Sequence, residues 1–281
     1  MDWLWNNPFL PIVTISAAIA AVFALVIGVT RFGALGALGT PVVFLVAYYL
    51  TYQKVPPFPP AGAANKVFYV GLVAAVLAAA FDAIPRDPVP AWTKAALAAL
   101  VGVLWIGASQ WSRGDLEFWS LSLAIVAGGG FALWIVQLQN ASAGPAPALS
   151  MLAALGALLA PVALFGGSST SVGLCLGVAA GLALLSIAYL RAPKLPNAAI
   201  LAVGASLLAL IDAIALVSRK ADVPALALVA LAPLVGLYAS RLVFASARFR
   251  PLWVWLASGL ATLSPLVVVV ALLFWRHESP L

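Results

Sequence analysis

Between residues 148 and 190 the chain runs for 43 residues without a charged side chain. A helix needs about 20 apolar residues to cross about 30 Å of hydrocarbon. The stretch therefore reads as two membrane crossings. Inside lipid every backbone N–H and C=O has to be paired within the protein, which leaves helices or a closed barrel. Long apolar runs without strict alternation exclude the barrel. The whole sequence repeats this character, with 65% hydrophobic and 8% charged residues and a mean hydropathy of +1.13 over 281 residues. Soluble domains carry about 25% charged residues, and disordered chains combine charge with low hydrophobicity. The chain is expected to be an all-α integral membrane protein.

Cutting the sequence where charges, prolines or Asn/Ser clusters interrupt apolar runs gives about ten transmembrane helices. They fall at 9–30, 33–52, 67–84, 92–110, 118–138, 148–165, 170–190, 198–217, 225–245 and 252–274. The joints have physical reasons. Gln53 to Pro60 reads QKVPPFPP, which cannot continue a helix. Pro85 to Pro90, Ser112 to Glu117 and Asn140 to Pro147 are also expected to be loops. The weakest joint, FGGS at 165–168, lacks charge and is required only by the length of the run around it. MDWLWNN at the start has an acid and no base, so the first apolar stretch is expected to be a retained span rather than a cleaved signal.

The counts narrow the chemistry. One histidine, His277, and one cysteine, Cys175, leave no intrachain disulfide and no expected haem or metal centre. No cofactor is expected. The net charge of +6 is scattered through short loops, without a basic stripe. It suits headgroup contacts and topology rather than nucleic acid. Eight Lys/Arg fall on one side of a ten-span chain and six on the other. This weak bias would put both termini outside.

The two halves resemble one another. Residues 89–102 read VPAWTKAALAALVG and residues 223–236 read VPALALVALAPLVG, identical at nine of fourteen positions. FDAI at 81–84 matches IDAI at 211–214, and KVP at 54–56 matches KLP at 194–196. Trp119 and Trp253 keep the 134-residue offset of the VPA match. Five spans separate equivalent positions, and an odd number inverts the second copy. The expected organisation is a 5+5 inverted-topology repeat, residues 1–140 and 141–281. Many secondary transporters are built this way, with sites near the midplane.

Only two acids fall inside predicted spans, Asp82 and Asp212, and they are equivalent in the repeat. An Asp at the centre of a span costs about 2.5–3.5 kcal/mol and marks an ion or proton path by default. Asp212 is preceded at helical spacing by Ala209, Leu208, Ala205 and Gly204, a face that admits a close neighbour. The bland alternative pairs Asp82 with Arg86 or Arg241, and Asp212 with Arg219. Pro233 interrupts the repeated helix where the first copy has Ala99, and such breaks can expose carbonyls to ions. Asp82, Asp212 and Pro233 are thus the expected substrate- or ion-binding residues. Gly173, Gly177 and Gly181 predict a close helix crossing or a homodimer face, and Gly128-Gly129-Gly130 a tight contact or a local unwinding. No enzyme signature is present.

Two readings follow. One is a non-enzymatic secondary carrier or flippase in a bacterial inner membrane, moving a small molecule, lipid or ion. The other is a non-catalytic subunit that holds membrane-protein partners in a larger complex.

Overall fold

The spans expected from the apolar runs all become helices, within a few residues of their predicted ends. A computed structural model of the chain describes residues 7–30, 33–82, 89–190, 195, 197–219, 221–246 and 250–277. In chain order the helices are α1 (Phe9–Thr30), α2 (Gly33–Tyr52), α3 (Ala63–Asp82), α4 (Ala91–Ile106), α5 (Leu116–Ala143), α6 (Pro145–Phe165), α7 (Ser169–Ala188), α8 (Asn197–Asp212), α9 (Val223–Ser246), α10 (Arg250–Leu263) and α11 (Leu266–His277). A 3₁₀ segment, Gly107–Arg113, extends α4, and a π-helical turn, Ala213–Val217, extends α8. Helices α10 and α11 are one rod broken at Ser264-Pro265, so the described residues form ten rods.

Six helical segments are long and apolar enough to cross a membrane: Leu116–Ala143, Pro145–Phe165, Ser169–Ala188, Ala199–Val217, Val223–Val243 and Pro251–Arg276. Four shorter apolar helices accompany them, Phe9–Phe23, Gly39–Tyr52, Ala63–Ala74 and Ala91–Ile106. Large exposed apolar side chains such as Leu123, Leu231, Leu260 and Val267 coat the outside of the bundle. Trp92 and Trp253 stand exposed near one set of helix ends, and Trp111, Trp119 and Trp275 near the other. This is the distribution of an interfacial aromatic belt.

Direct contacts fix the direction of the rods. Lys66 Nζ, at the start of α3, donates to the Trp105 carbonyl at the end of α4. Gly102 of α4 lies against Asp212 at the end of α8, and Gly71 of α3 against Ser206 of α8. At the other end, Thr40 Oγ1 of α2 donates to the Ala199 carbonyl near the start of α8. Helices α3 and α8 are therefore antiparallel. Helices α1 and α7 run parallel, because Phe9 and Ile12 meet Gly173 while Ser16 meets Gly177 and Gly181. Helix α1 therefore starts, and α11 ends, on the side where α8 ends; there Arg276 Nε of α11 pairs with Asp222 Oδ2 at 2.7 Å, just before α9.

The glycines make these approaches possible. Gly173, Gly177 and Gly181 are covered by α1 and α2, so the repeated GxxxG spacing serves an internal crossing and is not a free homodimer face. A Cβ on Gly177 would sit 2.8 Å from Ile12 Cγ2 and 3.2 Å from Ala47 Cβ. Gly177→Leu is expected to lower the thermal midpoint in detergent, with about 1–3 kcal/mol lost to overpacking. Gly62→Ala, at an exposed position with nothing within 4 Å, should leave the midpoint unchanged. Helix α5 passes unbroken through its glycine triplet: Gly128 meets Ala230 of α9, Gly129 meets Leu208 of α8, and Gly130 meets Ala96 of α4. Each residue turns about 100° along the helix, so three consecutive glycines seat three different neighbours.

One joint differs from expectation, and the weakest one holds. Asn140 to Pro147 is not a loop: α5 runs on to Ala143 and α6 starts at Pro145, leaving Gly144 alone with φ +95. Glycine tolerates that backbone and proline suits the first helical turn. Asn140 is also tied down, its Nδ2 donating to Asn197 Oδ1 and to the Leu195 carbonyl. The uncharged joint at FGGS holds through Gly167, φ +74, and the Ser168 cap of α7, whose hydroxyl accepts from the Ser171 N–H.

Asp115 caps α5 by accepting from the Phe118 N–H at 2.8 Å, and Arg219 Nη1 lies 3.2 Å from its other oxygen. The Phe118 bond first, and the Arg219 charge after it, hold the carboxyl below the usual carboxylate value. A depressed folded-state pKa stabilises above the unfolded value near 3.9, and that contribution fades as pH falls through the lower folded value. Asp115→Asn should flatten the pH dependence of melting below about pH 4 while leaving a cap in place.

Candidate functional site

Helix α8 carries the feature that lipid solvation makes most costly. Asp212 has no exposed surface. Neither of its carboxylate oxygens has a hydrogen-bond partner among the described residues. Its surroundings are apolar and close. The oxygen Oδ2 sits where a Cβ on Gly102 would be, and the Ala209 Cα is 3.4 Å from that same point. Ala99, Ile106 and Ala215 are fully buried in the same part of the bundle. The local sequence explains the seat: Ala209 one turn earlier and Gly102 on α4 are small enough for α4 and α8 to touch at this level.

Immediately after Asp212 the helix widens. Ser218 N–H donates to the Ala213 carbonyl five residues back, at 3.2 Å, which closes a π turn. Single π turns inside α-helices occur frequently at functional sites. Arg219, the partner in the alternative reading of Asp212, is engaged elsewhere by Asp115. No ion pair joins Asp212 to a described basic residue.

The three residues expected to form one site do not come together. Asp82 is the last residue of α3, and its side chain lies outside the described residues, as does Arg86. It is eleven residues beyond Gly71, whereas Asp212 is six beyond Ser206 on the antiparallel neighbour. At 1.5 Å per residue the two acids stand about 25 Å apart along the bundle. This is a consequence of the antiparallel pairing: residues near the C-terminal ends of the two helices are carried to opposite ends of the bundle. Pro233 is buried within a continuous α9. Its neighbours one turn either way, Ala230 and Gly236, pack against Gly128 of α5 and against Ser258 and Thr262 of α10. It withholds a donor from the helix but lies on a different wall from Asp212.

Helices α5, α6, α8 and α9 surround a cavity of about 300 Å³. Leu208 and Ile211 of α8 line it, but Asp212, a further 100° round the helix, turns to α4. Every lining residue is Ala, Gly, Ile, Leu or Val.

A second group lacks a partner. Both polar atoms of the Gln137 side chain are buried and unpaired among the described residues. Gln137 is one turn beyond Leu133, which packs on Gly204 of α8. It therefore lies nearer the start of α8, well away from Asp212. Its neighbour Gln139 is instead satisfied, donating to Ser258 Oγ at 3.0 Å and accepting from Ser240 Oγ at 3.1 Å. That cluster joins α5, α9 and α10 as polar glue. Gln137 and the Gly102 seat escaped the sequence reading. A glutamine within WIVQLQN is a signal, but which glutamine finds a partner depends on packing.

Among the described residues no group of three or more His, Cys, Asp or Glu could hold a metal ion. No family model matches the chain, and no curated protein or solved structure is similar to it.

Proposed function

We propose that the chain is a secondary carrier or flippase of a small molecule, lipid or ion, in which Asp212 is the coupling residue that takes up and releases a proton or cation. The observation that carries this reading is the buried Asp212 carboxylate with neither oxygen paired among the described residues. A carboxyl so placed costs several kcal/mol in a membrane span. Nothing among the described residues repays that cost, so a changing occupant of the carboxyl is its best explanation. The adjoining π turn gives α8 a place to change register when that occupant arrives or leaves.

The halves 1–140 and 141–281 are proposed to be inverted repeats. The antiparallel course of α3 and α8 supports this, because these helices are equivalent in the repeat. So does the glycine triplet, which meets Ala96 on one flank and Ala230 on the other. Those two alanines are equivalent at the 134-residue offset. The halves do not pack with two-fold equivalence: α4 lies on α8 while its counterpart α9 is not closely packed on α3, and α1 lies on α7 while α6 is not closely packed on α2. For a carrier the first of these asymmetries describes a form closed at the Asp212 end. A bacterial inner membrane is the proposed location, and no catalytic chemistry is proposed.

The experiment is substrate-triggered proton movement in proteoliposomes, scored with and without Asp212→Asn. The competing reading, a non-catalytic subunit, is favoured by an open groove of about 420 Å³ lined by Ala153, Ala157, Ala179 and Gly259 among others, wide enough for a partner's side chains. It requires stable co-purification with other membrane proteins and indifference to Asp212→Asn.

A further inference from the structure

We propose that the cavity between α5, α6, α8 and α9 is a binding site for one acyl chain of a membrane lipid. The inference does not need the carrier reading and stands or falls apart from it.

The position of the cavity comes first. Gly128 and Gly129, on its α5 wall, lie midway along Leu116–Ala143. That is the level of the bilayer centre, where acyl chains end. The cavity opens sideways between α5 and α9, where its lining residues Ala124, Ala227 and Leu231 are exposed. The solvent at this mouth is hydrocarbon.

The chemistry of the walls selects the occupant. A water molecule needs two to four polar partners, and empty apolar cavities stay dry. A polar or charged solute would lose its hydration with nothing to replace it. A hydrocarbon chain gives up no hydration on leaving the bilayer core, and it gains packing against walls that would otherwise face a void. The volume of about 300 Å³ is at the lower end of ligand sites. It suits a single chain entering by its methyl end, with the headgroup left outside.

The sequence keeps the space open. Ala124, Gly128 and Ala132 recur every four residues along the α5 wall, opposite Ala227 and Ala230 of α9. Larger side chains at these positions would let α5 and α9 close the opening. The inner wall is α6, through Leu152, Leu155 and Leu159, of which Leu152 is fully buried. Leu155 and Leu159, buried but with 6% and 5% of their surface open, are the α6 positions that a label in the cavity can reach.

The test uses the full chain in nanodiscs of phosphatidylcholine carrying a diazirine near the end of one acyl chain. After photolysis, peptides from α6 are expected to carry label at Leu155 or Leu159. In the double variant Ala124→Phe with Ala227→Phe, both at exposed positions, that labelling should fall at least fivefold. Labelling of the outer positions Leu260 and Val267 should not change, which also reports that the variant is folded. Absence of label on α6 in the parent chain, or equal labelling in the double variant, overturns the proposal. Labelling of α6 by a free short-chain alkyl diazirine but not by the phospholipid also overturns it, because the cavity would then take small apolar solutes rather than a lipid chain.

Discussion

Asp212→Asn is expected to abolish coupled transport while leaving the protein folded. The change nearly preserves side-chain volume and replaces a titratable carboxyl with an amide, which cannot take up or release a proton. Because neither oxygen of Asp212 has a described partner, no existing bond is lost. Removing an unpaired charge from an apolar seat relieves a desolvation cost, so the thermal midpoint in detergent should stay level or rise. The functional readout is proteoliposomes filled with a pH-sensitive dye and challenged with a panel of small amphipathic solutes. The parent chain should acidify or alkalinise the lumen with at least one solute, and Asp212→Asn should lower that rate at least tenfold. Asp115→Asn, at the membrane surface, should keep the rate. Wild-type rates in Asp212→Asn would end the coupling role. If the midpoint instead falls sharply, Asp212 is a structural group, and partners outside the described residues must be holding it.

The ends of the helices were legible because they are written in local chemistry. QKVPPFPP and the charges around Asp115 end spans wherever the rest of the chain lies. The division of 148–190 was legible from length alone, and Gly167 with Ser168 makes the turn that length demanded. The 140–147 segment was misread as a loop because Asn, Gly and Pro usually mark one. Here Asn140 reaches Asn197, a partner 57 residues away that no local rule reveals.

The site was legible in one respect only. A lone Asp between small residues signals an inward face, and Asp212 is fully buried. Its companions were not legible, since they depend on how rods cross. The match of FDAI with IDAI made Asp82 and Asp212 look like one pair, yet α3 and α8 run antiparallel and place them at opposite ends. Pro233 attracted notice as a break in the repeat, but α9 absorbs it within the helix. Gly102 is the final residue of the repeated stretch 89–102, and nothing in the sequence set it apart. Its role as the seat of a carboxylate exists only once α4 meets α8.

That seat yields the second large effect. Gly102→Ala places a methyl group onto Asp212 Oδ2. The methyl has no alternative direction, because Cβ is fixed by the backbone, and the carboxylate cannot swing without turning its charge into other apolar side chains. The expected loss is about 1–3 kcal/mol of stability from overpacking. The remedy is specific: Asp212→Ala removes the atoms in conflict, so the double variant should recover most of what Gly102→Ala loses. A coupling of about 0.5–3 kcal/mol is typical of residues in direct contact. Additive losses would mean that α4 and α8 do not meet through these two residues. The same cycle separates position from chemistry. Gly102 touches no substrate, so as a positioning residue it should shift the pH profile of transport by altering the Asp212 environment, whereas Gly62→Ala should shift neither profile nor midpoint. A fall in stability with an unmoved pH profile would leave Gly102 as a helix-packing glycine alone.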